Sequence, residues 1–120
     1  MKRVLVVDDD ELIHELVNSA LAKDEYEIHN ASNAEDAIQL FEKNVFDILL
    51  TDIVMPPGQD GTKLMQFVRT KYPGMSVLAM TAGLENAVND YVNYADIFSD
   101  HTLAKPFAKE ELMVAMSKFK

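Results

Sequence analysis

The chain contains no cysteine among its 120 residues. Without thiols it can form neither a disulfide framework nor a thiolate metal site, and it has no cysteine nucleophile. This composition agrees with a reducing compartment, so we expect the protein to be cytoplasmic.

Long apolar runs are also missing. The longest is the stretch LMVAM at positions 112–116, far short of the roughly 20 residues that a membrane-spanning helix needs. The run VLVV after the basic start MKR is likewise too short for a signal peptide. We therefore expect no membrane association.

Basic residues are few: 11 Lys and Arg stand against 20 Asp and Glu, for a net charge of −9. Nucleic-acid binding needs Lys and Arg patches that neutralise phosphates, so we expect no nucleic-acid partner for this domain. The negative charge suits a bound cation or a basic partner surface, and it also favours solubility.

The length and composition are those of one globular domain with a buried core, and we predict a single domain over residues 1–120. We find no repeat, low-complexity tract or linker. Because this length leaves no room for a second domain, we expect either a protein that acts by docking on a partner or a domain taken from a longer protein.

Apolar runs alternate with stretches of helical spacing along the whole chain. The runs predict strands at 3–7, 26–30, 46–51, 76–80 and 102–104. Helices are predicted after each strand, the fourth of them from the apolar spacing within residues 84–92. Five strands alternating with five helices indicate an α/β fold, a parallel sheet with helices on both faces.

Polar side chains follow four of these strands. Asp8 and Asp9 follow the first, Asp52 the third, Thr81 the fourth and Lys105 the fifth. Parallel sheets bind ligands at the carboxyl ends of their strands, so we expect these residues at one rim. The three carboxylates would repel one another without a cation, and an all-oxygen ligand set suits Mg²⁺. A lysine and a hydroxyl beside that ion suit an anion such as a phosphoryl group.

The motifs VLVVDDD, ILLTDIVMP, VLAMTA and LAKPF together resemble the receiver domain of two-component response regulators, over the whole chain. The resemblance implies a flavodoxin-like fold, with five parallel strands in the order 2-1-3-4-5 and five helices on two faces. It also implies that the domain is not an enzyme in the usual sense, since it catalyses only its own phosphorylation and dephosphorylation.

The resemblance assigns the metal site and the phosphorylation site. Asp52 matches the phospho-accepting aspartate. Asp8 and Asp9 match the acidic pair that holds Mg²⁺, with Asp52 and the backbone carbonyl of Val54 as further ligands. The implied phosphoryl donor is a phosphohistidine on a sensor histidine kinase or a phosphotransfer protein.

The resemblance also assigns the switch. Thr81 matches the hydroxyl that turns toward the phosphoryl oxygens, and Lys105 matches the lysine that pairs with them. The Lys105–Pro106 bond is expected to be cis. The face formed by the predicted fourth helix, the last strand and the last helix is then expected to repack and to bind a downstream protein or output domain.

The sequence departs from the family pattern in places that affect signalling. Thr102 stands three residues before Lys105, where the family carries an aromatic ring, and the loop after Asp52 is one residue longer than usual. We therefore expect the signalling face to differ. The resemblance implies that Val54 and Gly83 flank the water that attacks the phosphoryl group. Neither offers a side-chain hydrogen bond to that water, so we also expect slow self-dephosphorylation, which a phosphoryl half-life of seconds would contradict.

Other interpretations of these residues remain open. The acidic run from Asp8 to Glu11 could be a solvated helix start, a role that we assign to Asp10 and Glu11 in any case. His14 is predicted to be exposed and without a role. The fold could be a pseudo-receiver, a binding module that is never phosphorylated. A hydrolase of the haloacid-dehalogenase type is disfavoured, because its nucleophile follows the first strand in an Asp-x-Asp motif.

Overall fold

The computed structural model describes residues 1–53, 60–82 and 99–119, in which five strands alternate with four helices. They are β1 (Lys2–Val7), α1 (Glu11–Ala20), β2 (Tyr26–Ala31), α2 (Ala34–Lys43), β3 (Ile48–Asp52), α3 (Asp60–Lys71), β4 (Ser76–Ala82), β5 (His101–Lys105) and α4 (Lys109–Ser117). The helix predicted within residues 84–92 lies outside the described residues. No helix in the described part of the chain has both the length and the apolar character needed to cross a membrane.

The five strands form one parallel sheet in the order β2-β1-β3-β4-β5. This confirms the predicted fold class, including the strand order that the resemblance implied. The strand β2 lies at an edge of the sheet, where one side of its backbone has no neighbouring strand. Its more polar sequence, YEIHNA, agrees with that position.

The register of the sheet brings the ends of the strands level. Val7 pairs with Thr51, so Asp8 and Asp52, the residues that follow them, lie side by side. On the other side of β3, Asp52 pairs with Met80 of β4. Strand direction and register therefore direct the polar residues at the ends of β1 and β3 to the same rim.

Successive residues of the central strands point to opposite faces of the sheet, and both faces are covered by helices. One face packs against α2 and α3 through a cluster that includes Leu5, Val7, Leu49, Val77, Phe41 and Leu64. The other packs against α1 and α4 through a cluster that includes Val4, Val6, Leu50, Met80, Val17 and Leu112. Burial on both faces explains why these strands are apolar at consecutive positions.

Side-chain caps set where the first two helices begin. The Asp10 carboxylate accepts a 3.0 Å hydrogen bond from the Leu12 amide at the start of α1, which confirms its predicted helix-start role. Asn33 caps α2 by accepting a 2.8 Å bond from the Asp36 amide. The cap at Asp10 turns the chain directly after Asp8 and Asp9.

Several local predictions were wrong. The strand β4 ends at Ala82 instead of 80, so Thr81 lies within it, and Asp52 and Lys105 are the last residues of β3 and β5 instead of the residues that follow them.

The strand predicted from position 46 begins at Ile48. The Arg3 amide bonds the Asp47 carboxylate at 2.8 Å, so the regular pairing of β3 with β1 starts one residue later, at Ile48. His14, predicted to be exposed, is only 4% exposed, whereas Leu12 on the same helix is 69% exposed. The buried stripe of α1 includes His14 and Val17, and the physical reason for the burial of His14 is its polar partners at the rim.

Candidate functional site at the carboxyl rim of the sheet

Three carboxylates meet at the carboxyl ends of β1 and β3. Asp8, Asp9 and Asp52 each offer one oxygen, and these oxygens all lie within 4.8 Å of one another. Asp8 is fully buried, Asp52 is nearly so, and Asp9 is exposed to solvent. Two buried carboxylates side by side are costly unless positive charge and hydrogen bonds compensate them.

Part of that compensation comes from Lys105 at the end of β5. Its Nζ atom lies 2.7 Å from Asp8 Oδ2 and 3.4 Å from Asp52 Oδ2. Burial alone would lower the pKa of Lys105, but the hydrogen bond to Asp8 and the charges of Asp52 and Asp8 outweigh it and raise the pKa above its usual value. The ammonium is therefore charged at neutral pH.

Both the carboxylate and the backbone amide of Asp8 form hydrogen bonds. Its Oδ1 atom accepts a 2.8 Å bond from the Asp10 amide and its Oδ2 atom accepts the bond from Lys105. Its own amide donates a 3.1 Å bond to the carbonyl of Ala31 at the end of β2. A carboxylate with these partners keeps a fixed position while it stays charged.

His14 completes the surroundings of Asp8, a role that the sequence interpretation missed. Its Nε2 atom lies 2.8 Å from the Asp8 carbonyl oxygen, and its Nδ1 atom lies 2.6 Å from Asn30 Oδ1 on β2. The signal was present in the sequence. His14, Val17 and Leu21 stand at i, i+3 and i+7, the spacing of one helix face, and all three are buried.

The remaining predicted residues divide between the rim and the part of the chain that is not described. Thr81 is half-buried in β4 and pairs with Ala104, one position before Lys105. Thr102 lies on β5 with its side chain exposed. The Lys105–Pro106 bond is cis, as the resemblance implied. Val54 and Gly83 lie outside the described residues, so the carbonyl ligand and the dephosphorylation hypothesis stay predictions.

The charge and donor atoms of the cluster fit Mg²⁺. Three carboxylates and one ammonium carry a net charge of about −2 when all are ionised, which one divalent cation would neutralise. The donors are all oxygens, the ligands that Mg²⁺ prefers. The exposed side at Asp9 leaves room for the waters with which Mg²⁺ completes its octahedral shell.

Comparison with known proteins agrees with this geometry. Residues 4–117 match the family described as the response regulator receiver domain. The chain belongs to the receiver-domain family. The match runs from Val4 in β1 to Ser117, the last residue of α4. It therefore includes residues of all five strands of this receiver domain.

Solved structures of other regulators resemble this receiver domain over nearly its whole length. The chemotaxis regulator CheY4 of Vibrio cholerae is 25% identical with a TM-score of 0.87, and the match covers 100% of this chain and 99% of that one. A CheY-like receiver from Methanospirillum hungatei is 26% identical with a TM-score of 0.87, over 98% of this chain and 92% of its own. TrrA of Thermotoga maritima, solved in complex with Mg²⁺-BeF, is 29% identical with a TM-score of 0.83, and both chains are covered completely at 100%.

Proposed function

We propose that this receiver domain accepts a phosphoryl group on Asp52 from a phosphohistidine of a sensor histidine kinase or phosphotransfer protein, in a reaction that depends on Mg²⁺. The observation that carries the proposal is the convergence of Asp8, Asp9, Asp52 and Lys105 at one rim. TrrA, which is similar over its full length, was solved with Mg²⁺-BeF, and this supports Mg²⁺ as the cation.

Asp52 is the nucleophile in this proposal because of its position. It ends β3 at the centre of the sheet, nearly buried, and it keeps one oxygen within 3.4 Å of the Lys105 ammonium. Burial removes much of the hydration that makes a carboxylate a weak nucleophile in water. A carboxylate oxygen of Asp52 attacks phosphorus, the phosphorus–nitrogen bond of the phosphohistidine breaks, and the imidazole leaves.

The other rim residues manage the charge of the transferring group. Lys105 has a positive charge at neutral pH within reach of Asp52, and its Nζ atom can follow a phosphoryl oxygen. Asp8 and Asp9, with Asp52 and the Val54 carbonyl, would hold Mg²⁺, which neutralises charge on the phosphoryl oxygens when it is bound. Lys105 Nζ lies between Asp8 and Asp52, at 2.7 Å and 3.4 Å, so a small side-chain movement brings it to a phosphoryl group on Asp52.

Signalling then follows from the new charge. A phosphoryl group adds about −1.5 to −2 charges at neutral pH, next to Thr81 on β4 and Lys105 on β5. Thr81 turns its hydroxyl toward the phosphoryl oxygens. The face built from the predicted fourth helix, β5 and α4 changes its packing and docks a downstream protein or an output domain.

The test is phosphorylation by acetyl phosphate with and without Mg²⁺, followed by intact mass spectrometry. We expect one added phosphoryl group that requires Mg²⁺ and disappears in Asp52→Asn. Asp24→Asn, a change at an exposed carboxylate before β2, is the matched control and should be labelled like the wild type. A wild-type protein that binds Mg²⁺ yet takes no phosphoryl group would contradict the proposal.

One observation favours a second candidate, the pseudo-receiver that binds partners without phosphorylation. Thr102 is exposed on β5 at the position where the resemblance implies a switch aromatic, so the usual second half of the switch is replaced. Absence of Mg²⁺ binding would favour the pseudo-receiver, since such a module has no need of the metal, whereas Mg²⁺ binding leaves the decision to the phosphorylation test. Calorimetric titration of the metal-free protein with MgCl₂ measures it directly.

A further inference from the structure

His14 is a buried polar residue to which the phosphoryl-transfer chemistry gives no role. Its neighbours Leu12 and Glu15 on α1 are exposed, but the imidazole of His14 is turned inward between two other elements. One ring nitrogen contacts the Asp8 carbonyl at 2.8 Å and the other contacts Asn30 at 2.6 Å. The ring therefore connects the turn after β1 with the end of β2.

The Asp8 carbonyl is a sensitive place for such a contact. It belongs to the peptide unit that joins Asp8 to Asp9, and this unit is planar. A bond that fixes the carbonyl direction therefore also fixes the Asp9 amide and the position of the Asp9 Cα atom, to which the side chain is attached. Within the described part of the chain no donor bonds the Asp9 carboxylate, so its placement depends on the backbone.

We propose that His14 is a positioning residue of the metal site: through its bond to the Asp8 carbonyl it fixes the Asp8–Asp9 peptide and presents the two carboxylates to Mg²⁺. The Asp8 amide is held separately by Ala31, and the Asp8 carboxylate by Asp10 and Lys105. His14 adds a restraint on the Asp8–Asp9 peptide itself, beside the bond from the Asp10 amide to Asp8 Oδ1 that spans Asp9. The inference rests on the proposed function only in taking Mg²⁺ as the ion.

The proposal does not depend on the charge of the ring. A carbonyl oxygen only accepts hydrogen bonds, so the Nε2 atom of His14 must carry a proton. Asn30 Oδ1 lies against Nδ1 and accepts from it when that nitrogen is protonated, and a neutral ring is satisfied when the Asn30 amide turns its NH₂ group toward Nδ1. The contact to Asp8 is present in either case.

Two amide substitutions separate the two ring contacts. His14→Gln places an N–H near the position of Nε2 and keeps a donor for the Asp8 carbonyl. His14→Asn is shorter, reaches only toward Asn30 and loses the Asp8 contact. Asn18→Gln, on an exposed position one turn further along α1, is the matched control for an amide change on the same helix.

The first readout is Mg²⁺ affinity, measured by calorimetric titration of the metal-free proteins with MgCl₂. Loss of a group that orients a metal ligand costs about 10-fold or more in affinity. We expect His14→Asn to bind Mg²⁺ about 10-fold more weakly than the wild type, and His14→Gln and Asn18→Gln to stay within about threefold of it. A purely structural His14 would give equal affinities in the two His14 variants once both are folded.

The second readout needs neither metal nor phosphorylation. Amide proton and nitrogen shifts of Asp9 and Asp10 in EDTA report the geometry of the turn, because the Asp10 amide donates a 2.8 Å bond to Asp8 Oδ1. We expect these two amides to move in His14→Asn and to stay near their wild-type positions in His14→Gln. If the variants fail to fold, the nitrogen shifts of the His14 ring in the wild type show which ring nitrogen carries a proton. We expect Nε2 to be protonated.

The outcomes separate this inference from the proposed function. Mg²⁺ binding without phosphorylation contradicts the proposed function and leaves the role of His14 to the affinities. A wild type without Mg²⁺ affinity contradicts the proposed function and the metal-site role of His14, and the amide shifts then test only whether His14 fixes the Asp8–Asp9 peptide. Unchanged affinity in His14→Asn, equal losses in both His14 variants, unmoved amides, or a ring protonated on Nδ1 alone would each overturn the inference.

Discussion

Lys105 Nζ donates a 2.7 Å hydrogen bond to Asp8 Oδ2, which joins two residues that are 97 positions apart in the chain. They lie at the ends of β5 and β1, two strands that β3 and β4 separate in the sheet. The bond therefore spans the rim above Asp52. It also supplies a positive partner for the most deeply buried carboxylate of the site.

Removal of the ammonium should destabilise the metal-free protein. Lys105→Met leaves Asp8 buried without its cationic partner, and loss of one member of a buried pair costs about 3 kcal/mol. We expect that loss in EDTA, a partial recovery with Mg²⁺, and tighter Mg²⁺ binding because the site becomes more negative. Urea unfolding with and without MgCl₂ measures all three.

The same variant should also lose phosphoryl transfer, by about 100-fold in the rate with acetyl phosphate, since a donor to the developing charge is gone. Lys109→Met, at an exposed position on α4, is the matched control for both the rate and the stability.

Equal free energies of unfolding of Lys105→Met and Lys109→Met in EDTA would show that Lys105 does not compensate the charge of Asp8.

Mg²⁺ should stabilise the folded domain through Asp9. Free Mg²⁺ at 100 times the dissociation constant adds about 2.7 kcal/mol to the free energy of unfolding, a rise of roughly 10 °C in melting temperature for a domain of this size. Asp9 is exposed, so Asp9→Asn should melt like the wild type in EDTA but should gain little from Mg²⁺.

Differential scanning calorimetry in EDTA and in MgCl₂ measures this difference, with Asp24→Asn as the control that keeps the full Mg²⁺ effect. An undiminished stabilisation of Asp9→Asn by Mg²⁺ would exclude Asp9 as a ligand.

The metal-free protein should lose stability at alkaline pH through Lys105. The pKa of Lys105 is raised above its usual 10.5: burial lowers it, but the Asp8 bond and the charges of Asp52 and Asp8 raise it by more. The native state therefore holds this proton more tightly than the unfolded chain does. The contribution is complete below pH 10.5 and disappears as pH rises through the native pKa.

Tyr26 contributes in the same direction, because burial first, and then the charge of Glu25, raises its pKa. The alkaline series is therefore measured by urea unfolding in a Tyr26→Phe background, with and without Lys105→Met. We expect the loss of stability above pH 10.5 to be smaller when Lys105 is absent. Parallel curves would refute the coupling.

At the opposite end of the strands from the site, Asp100, the residue before β5, bonds to β4 and α3. Its Oδ2 atom accepts 2.7 Å bonds from the Val77 amide and from Arg69 Nη2, and Arg69 Nη1 donates to the Met75 carbonyl. Since Asp100 is partly exposed, we expect Asp100→Ala to lower the free energy of unfolding by about 1.5 kcal/mol.

Asp100→Asn keeps an acceptor for the Val77 amide and should lose about half as much, by the usual worth of a neutral hydrogen bond. Glu110→Ala, an exposed acidic residue on α4, controls for the change of charge. Urea unfolding of the three variants gives the comparison, and identical stabilities of Asp100→Ala and Asp100→Asn would show that the bond to Val77 contributes nothing.

Much of the fold could be predicted from periodicity. Strands buried on both faces are apolar at consecutive positions, which identifies β1, β3 and β4 directly. The start of β3 could not be predicted, since it depends on the bond between Asp47 and the Arg3 amide in a neighbouring strand. The burial of His14 could not be predicted for a related reason: a polar ring is buried only where partners from other elements meet it.

The alternation of strands and helices, and the polar residues near the strand ends, follow from the amino-acid sequence, because they depend on local periodicity and on positions in the chain. The contacts of Lys105 with Asp8 at 2.7 Å and Asp52 at 3.4 Å, and the contact of His14 with the Asp8 carbonyl, depend on the folded chain. Those contacts join residues that strand order, register and helix rotation bring together. Which of several neighbouring partners a side chain bonds depends on small differences in distance, and no linear pattern encodes them.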